Sequence, residues 1–115
     1  MLLRNKDRQA LCEIFSLVET GIEVWAYGSR VNGTAHDGSD LDLVIRSQNQ
    51  EKLPIDILAD VKEKIQQSNI PIVVELFDWA RLPKSFQSNI EAKHEVLFSN
   101  MQPIVNEPSA KYKKP

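Results

Sequence analysis

Two short apolar runs, residues 22–26 and 41–45, frame the segment that most constrains how this chain can fold. Both runs consist mainly of residue types that favour β-strands. The segment between them contains Gly28, Gly33 and Gly38, which interrupt regular structure. The end of the first strand and the start of the second are therefore the candidate positions for a functional site.

Asp40 and Asp42 stand two residues apart where the second run begins. In an extended strand such side chains point to the same face and lie roughly 6–7 Å apart along the chain. Paired carboxylates can hold divalent cations, which prefer oxygen ligands. We therefore predict that Asp40 and Asp42 bind metal, with a solvated strand end as the alternative interpretation.

Gly28 and Ser29 follow directly after the first run. A Gly-Ser turn at this point offers unhindered backbone N–H groups and a hydroxyl, which suit a phosphate group. Metal-binding carboxylates opposite a phosphate-binding turn indicate nucleotide chemistry.

A third acid is expected to complete the metal site. Glu75 lies inside the otherwise apolar segment 72–77, where an unpaired carboxylate would cost several kcal/mol. Asp78 is the alternative third acid, but it has the opposite strand parity and lies beside a turn. Parity favours Glu75.

Composition limits the class of protein. The chain has 115 residues, 42% hydrophobic and 26% charged, as expected for one globular domain, and its net charge of −2 does not suggest a nucleic-acid-binding surface. Its single cysteine, Cys12, excludes an internal disulfide, and no apolar run approaches the length needed to cross a membrane. We expect a cytoplasmic protein without direct contact to membrane or nucleic acid.

Periodicity and turn signals predict alternating helices and strands, and therefore an α/β fold with a small mixed β-sheet flanked by helices. The predicted order is helix 3–19, strand 22–27, short helix 29–31, strand 41–45, helix from Pro54 to about residue 67, strand 71–77, helix after Pro83 and strand 96–98. We expect one domain over residues 1–98 and a loose or partner-docking tail over 99–115. Trp25 and Trp79 are expected in the core or at a partner surface, and His36 and His94 at the surface.

The Gly28-Ser29 pair, followed after ten residues by Asp40-Leu41-Asp42, resembles the signature of the DNA polymerase β-like nucleotidyltransferase superfamily. In size and layout the chain is similar to its minimal nucleotidyltransferase (MNT) branch, whose members are encoded beside HEPN-domain partners. The resemblance extends over about residues 24–98 and implies the palm-like fold of polymerase β.

The resemblance also implies roles for individual residues. Asp40 and Asp42 would be catalytic and would bind Mg²⁺, as two ions or with Mn²⁺ as a substitute, while Glu75 would stand where the family's third acid is more often aspartate. Gly28 and Ser29 would bind the nucleotide phosphates, and Arg30 would neutralise an outer phosphate or else be an exposed residue at a helix start. The implied activity is transfer of AMP from ATP to a tyrosine of a HEPN toxin, which makes the chain an antitoxin within a hetero-oligomer.

Two other functions remain open at the level of sequence. The chain could neutralise its partner by binding alone, without catalysis. It could also be the nucleotide-binding subunit of a two-protein transferase that acts on a small molecule. A short chain leaves little mass for an acceptor-binding domain, so each interpretation expects dependence on a partner.

Overall fold

The computed structural model describes residues 1–36 and 38–101 of the chain. The elements, in chain order, are helix α1 (Asn5–Phe15), strand β1 (Ile22–Tyr27), helix α2 (Ser29–Asn32), strand β2 (Leu41–Ser47), helix α3 (Ile55–Gln66), strand β3 (Val74–Asp78), a 3-10 turn (Trp79–Arg81), helix α4 (Lys84–Ala92) and strand β4 (Glu95–Ser99). This alternation confirms the predicted α/β class.

The four strands form one mixed sheet in the order β3-β2-β1-β4. Strand β1 pairs antiparallel with β2 and with β4, whereas β2 and β3 are parallel. A parallel pair needs a crossover connection, and α3 provides it between β2 and β3. The topology confirms the prediction of a mixed rather than an all-parallel sheet.

Different helices and apolar clusters pack against the two faces of the sheet. One face carries the larger core, where side chains of β1 and β2 pack with those of α1 and α3; its fully buried members include Leu11, Phe15, Ile22, Val24, Leu41, Leu43 and Ile45. The opposite face carries a smaller apolar cluster of Trp25, Val44, Trp79 and Ile90, the last of these from α4. Strand parity decides this division, because alternate residues of one strand point to opposite faces. Asp42 and Glu75 belong to the second face.

Some predicted boundaries were wrong, for local backbone reasons. Helix α1 ends at Phe15 rather than near residue 19, because the amides of Leu17 and Val18 bond to carbonyls three residues back and so tighten the last turn. Strand β3 starts at Val74 rather than at Pro71, which has no N–H to donate to a strand ladder. Strand β4 continues to Ser99, and Asn100 still bonds to Ile22. The rest of the predicted tail, residues 102–115, lies outside the described residues.

Aromatic side chains of the second face contact one another, with Trp25 edge-on to Trp79 at 5.3 Å between ring centroids. The guanidinium of Arg46 lies 4.2 Å from the Trp25 ring centroid and 4.8 Å from that of Trp79. Both tryptophans are buried in the smaller apolar cluster, as predicted. His94 stacks on Trp25 with ring centroids 3.7 Å apart. His94 is therefore half-buried at the surface, whereas His36 is exposed, as predicted.

Within the described residues, the helices are too short or too polar to cross a membrane.

Candidate active site

The site begins with a row of three side chains across adjacent strands. Tyr27 at the end of β1 pairs with Asp42 of β2, and Asp42 pairs with Glu75 of β3. Directly paired residues of neighbouring strands point to the same face of the sheet. Tyr27, Asp42 and Glu75 therefore form one row, which we call the acid row.

Asp40 immediately precedes β2 and is exposed, two residues from Asp42. The pKa of the Asp42 carboxyl is raised above its ordinary value, first by partial burial and then by the negative charges of Asp40 and Glu75. The negative charges of Asp40 and of Glu75 both act on the Asp42 carboxylate. A bound cation would relieve this repulsion.

Tyr27 experiences the same negative field. Burial, followed by the charges of Asp42 and Glu75, raises the pKa of its phenol to about 12. The hydroxyl therefore stays protonated at neutral pH and is available as a hydrogen-bond donor beside the carboxylates.

Gly28 joins the acid row to the start of α2. Its φ of +80° and ψ of −154° lie in a region that only glycine occupies without strain. A Cβ built at this position would lie 2.5 Å from the Oδ2 atom of Asp42. Glycine is thus required both by the backbone conformation and by the close approach of the Asp42 carboxylate, and Ser29 follows it as the first residue of α2.

Arg30 differs from its predicted role. Its side chain is buried, and its guanidinium donates from Nε to the carbonyl oxygen of Ser39 at 2.9 Å and from Nη1 to that of Leu2 at 2.6 Å. Neither the expected phosphate contact nor the alternative of an exposed arginine fits this arrangement. We infer that Arg30 is a positioning residue. Its two hydrogen bonds connect the N-terminal segment at Leu2 to the loop at Ser39, which leads into Asp40.

Asp78, the alternative third acid, is committed to a structural role. It is buried, and its carboxylate accepts hydrogen bonds from the backbone amide of Leu53 at 2.9 Å and from Arg81 Nε at 3.1 Å. It pairs in register with Ile45, whereas Glu75 pairs with Asp42. The geometry therefore favours Glu75, as parity indicated.

The energetic reason given for Glu75 was nevertheless wrong. Glu75 is exposed, since β3 is an edge strand and the second face is open at this end. No burial cost has to be offset there, and Glu75 is favoured over Asp78 only by its register with Asp42.

The chemistry of the donors fits a hard divalent cation, because the acid row and Asp40 offer only carboxylate oxygens beside one phenol. As the side chains stand in residues 1–36 and 38–101, no three His, Cys, Asp or Glu groups converge closely enough to hold an ion unaided. Asp40 and Asp42 are thus the core of the candidate metal site, and oxygens of a bound phosphate could fill further positions.

Similarity to known proteins identifies the class to which this chain belongs. Residues 9–103 match the family model described as "Polymerase beta, Nucleotidyltransferase", so the chain belongs to this nucleotidyltransferase family and is a nucleotidyltransferase. Enzymes of this kind usually use divalent metals.

One curated relative and one solved structure are similar to this chain. The chain is 40% identical over 89 residues to the "Probable protein adenylyltransferase MntA" of Haemophilus influenzae, covering 76% of this chain and 74% of that protein. Among solved structures it is similar to one described as "Crystal structure of the toxin-antitoxin with AMP-PNP", with a TM-score of 0.63 and 18% identity over 83% of this chain and 73% of the other. This second likeness concerns the fold.

Sequence reasoning missed two features of the site. Tyr27 was assigned only to a strand, although it has the parity of Trp25 and immediately precedes the Gly-Ser turn. The contact of Gly28 with the Asp42 carboxylate was also missed, because antiparallel pairing between β1 and β2 creates it. The first had a usable signal in strand parity, whereas the second depends on strand pairing.

Proposed function

We propose that this protein transfers AMP from ATP to a tyrosine hydroxyl of a HEPN-domain toxin and thereby acts as the antitoxin of a HEPN–MNT pair. The observation that carries the proposal is the acid row beside Gly28, in a chain 40% identical to a protein adenylyltransferase. The toxin–antitoxin description of the structural neighbour, which contains an ATP analogue, supports a partner protein as acceptor.

Asp40 and Asp42 would hold Mg²⁺ with help from Glu75, and Gly28 and Ser29 would bind the nucleotide phosphates. The metal, when bound, lowers the pKa of the attacking hydroxyl and offsets charge on the phosphates. The protein's own part is to position the reacting groups and to set their electrostatics.

The order of the strands supports one direction of approach for the acceptor hydroxyl. Glu75, Asp42 and Tyr27 lie on β3, β2 and β1 respectively, so the phosphate-binding turn after Tyr27 and the exposed Glu75 flank Asp42 from opposite sides. In-line displacement requires the nucleophile and the leaving group on opposite sides of the reacting phosphorus. The acceptor hydroxyl therefore approaches from the Glu75 side.

The reaction balances as a single displacement. A bond forms between the acceptor oxygen and the α-phosphorus of ATP, while the bond from that phosphorus to the bridging oxygen breaks. Pyrophosphate leaves with the electron pair, and the acceptor proton passes to the acid row and then to solvent. No nucleophilic side chain of this protein is needed.

The test is incubation of the protein with its HEPN partner, Mg²⁺ and ATP labelled at the α-phosphate. Label should appear on a tyrosine of the partner, identified by mass spectrometry, and should require both Mg²⁺ and Asp42. Neutralisation of the partner that survives Asp42→Asn would instead indicate a binding-only module. Label confined to a small molecule would indicate the two-protein transferase.

Glu75→Gln and Asp78→Asn form a matched pair of substitutions on β3. Glu75→Gln should weaken binding of Mg²⁺·ATP, measured by calorimetry, while leaving stability unchanged because the side chain is exposed. Asp78→Asn should lower the free energy of unfolding by about 1–3 kcal/mol, because it removes the charge of a buried carboxylate that accepts hydrogen bonds from the Leu53 amide and from the partly exposed Arg81. It should leave the nucleotide affinity of the folded protein unchanged. The reverse pattern would move the third ligand to Asp78.

A further inference from the structure

We propose that the acceptor protein docks by adding an extended segment to the open edge of β3, with its tyrosine in register with Glu75. The inference rests on the proposed function and specifies the chemistry of the acceptor. Its docking segment is a β-strand with one apolar residue two positions before the tyrosine and another two positions after it.

The backbone at the edge of β3 is available for a further strand. Strand β3 lies at the end of the sheet and pairs with β2 on its inner side. The carbonyl oxygen of Val73 accepts a hydrogen bond from the amide of Leu41 at 2.9 Å. In a parallel ladder, alternate residues bond to the neighbouring strand, so the odd-numbered residues of this segment bond towards β2. The N–H and C=O groups of Val74 and Leu76 consequently point to the open edge, where an added strand can bond to them.

Apolar side chains flank Glu75 on the acid-row face of β3. Val73 and Phe77 lie two residues before and after Glu75, share its parity and are 58% and 39% exposed. Natural sheets usually protect an edge with charges, bulges or a covering element. This edge instead pairs with β2 in unbroken register from Val74 to Asp78 and presents apolar groups to solvent. Such a surface fits a partner strand with apolar side chains in register.

The opposite edge of the sheet has different properties. The pairing of β4 with β1 is interrupted by a register shift, and β4 begins with the charged residue Glu95. Bulges and charges both disfavour the addition of another strand. Strand β4 also lies beyond β1, on the side of the acid row away from Glu75. The two edges therefore differ both in their capacity to pair and in their distance from the acceptor side of the site.

The spacing of strands suits a tyrosine. Neighbouring strands lie about 4.8 Å apart, so a strand added to β3 would lie roughly 10 Å from β2 and Asp42. Its residue in register with Glu75 points to the acid-row face, and aromatic side chains interact with neighbours about 7–8 Å away. A tyrosine hydroxyl therefore leans across Glu75 towards a phosphate held at Asp42. The hydroxyl of a serine would stay beside its own strand.

The other side of the added strand meets α3. A groove with a volume of about 470 Å³ runs along β3 and is bordered by Lys62 and Gln66 of α3. Residues next to the tyrosine in the added strand point to this side, because successive side chains alternate. The exposed ammonium of Lys62 favours an acidic or polar residue there. The docking segment thus reads apolar, polar, tyrosine, polar, apolar.

The direct test is amide hydrogen exchange of the full chain, followed by NMR, with and without the HEPN partner. Mg²⁺ and the α,β-methylene analogue of ATP are present in both samples, so that no AMP is transferred. The amides of Val74 and Leu76 should exchange at least tenfold more slowly in the complex, because they gain hydrogen bonds to the added strand. The amides of Glu75 and Phe77, which already bond towards β2, should change much less.

Val74→Pro removes the N–H group that points to the open edge and no hydrogen bond to β2. Proline is tolerated at the first residue of an edge strand, and Val74 is the first residue of β3. This variant should weaken partner binding, measured by calorimetry, about tenfold or more and raise the KM for the acceptor by a similar factor. Affinity for the ATP analogue should change less than twofold. Circular dichroism establishes that the variant is folded.

Val73→Ser and Val96→Ser form a matched pair of milder substitutions. Val73 is 58% exposed next to β3, and Val96 is 50% exposed in β4 at the opposite edge. Val73→Ser should weaken partner binding about three- to tenfold, because the valine loses apolar contact with the added strand. Val96→Ser should leave partner binding and transfer unchanged. Equal effects of the two substitutions would contradict docking at β3.

The outcomes separate this inference from the proposed function. Unchanged exchange at Val74 and Leu76 in a complex that does transfer AMP would overturn the docking and leave the proposed function intact. Slow exchange of both amides in the protein alone, increasing with its concentration, would mean that a second copy occupies the edge and would also overturn the docking. Protection of both amides by a partner that receives no AMP from ATP would support the docking and overturn the proposed transfer.

Discussion

Asp42→Asn should reduce nucleotidyl transfer by about 100- to 1000-fold, because loss of a metal ligand removes several kcal/mol of transition-state stabilisation. Asp42 is the central member of the acid row, with Tyr27 on one side and Glu75 on the other. Asparagine keeps the shape of the side chain but not the charge that holds a cation. Initial rates of AMP transfer, measured at saturating ATP and Mg²⁺, provide the check.

The same substitution should not destabilise the fold. In the folded protein the pKa of Asp42 lies above its unfolded value, because the side chain is partly buried and faces Asp40 and Glu75. The folded state therefore holds this proton more tightly, so the free energy of unfolding falls as pH rises from about 4 through the folded pKa and stays lower above it. At neutral pH the negative charge of Asp42 lowers the free energy of unfolding, and asparagine removes that charge.

Thermal unfolding at pH 7 should thus give Asp42→Asn a Tm at least equal to that of the wild type. Asp56→Asn makes the same chemical change at an exposed position in the first turn of α3 and should retain full activity. A substantial loss of Tm in Asp42→Asn, or normal transfer by it, would contradict the assignment.

Gly28→Ala is the second substitution with a large expected effect. Its Cβ would lie 2.5 Å from Asp42 Oδ2, so the carboxylate must move away from its place in the acid row. Its φ of +80° adds backbone strain of about 1–3 kcal/mol. We expect loss of that much stability, measured by denaturant unfolding, and a drop in transfer rate of tenfold or more in the remaining folded protein.

Gly33→Ala separates the effect of backbone strain from the effect of displacing the Asp42 carboxylate. Gly33 also has a positive φ, +89°, but a Cβ there would meet nothing within 4 Å. This variant should lose about 1–2 kcal/mol of stability through strain alone and keep the wild-type rate per folded molecule. Equal loss of activity in both variants would show that strain in the turn, rather than displacement of Asp42, determines catalysis.

The predicted architecture was largely correct because its signals are local. The strands around Val24 and Leu43 follow from β-forming residues bounded by glycines, and their parity correctly separated the apolar face from the face with Asp42. Errors occurred where a boundary depends on particular hydrogen bonds, as at the end of α1 after Phe15 and at the start of β3 after Pro71.

The site was predicted less completely, because side-chain contacts between distant segments decide it. Arg30 stands beside the Gly-Ser pair in sequence, yet it turns inward to the carbonyls of Leu2 and Ser39. Glu75 was selected for a burial that it does not have, although its place opposite Asp42 agrees with the prediction. No spacing rule carries this information.

The sequence by itself determined the order of the elements, the parity of each strand and the two-residue spacing of Asp40 and Asp42, because these depend only on neighbours along the chain. Only the tertiary structure decided that Glu75 lies in register with Asp42 and that the carboxylate of Asp78 is hydrogen-bonded to Arg81 and Leu53. The physical reason is that strand pairing and helix packing bring together residues far apart in the chain, and a single residue's shift in register would change every such contact.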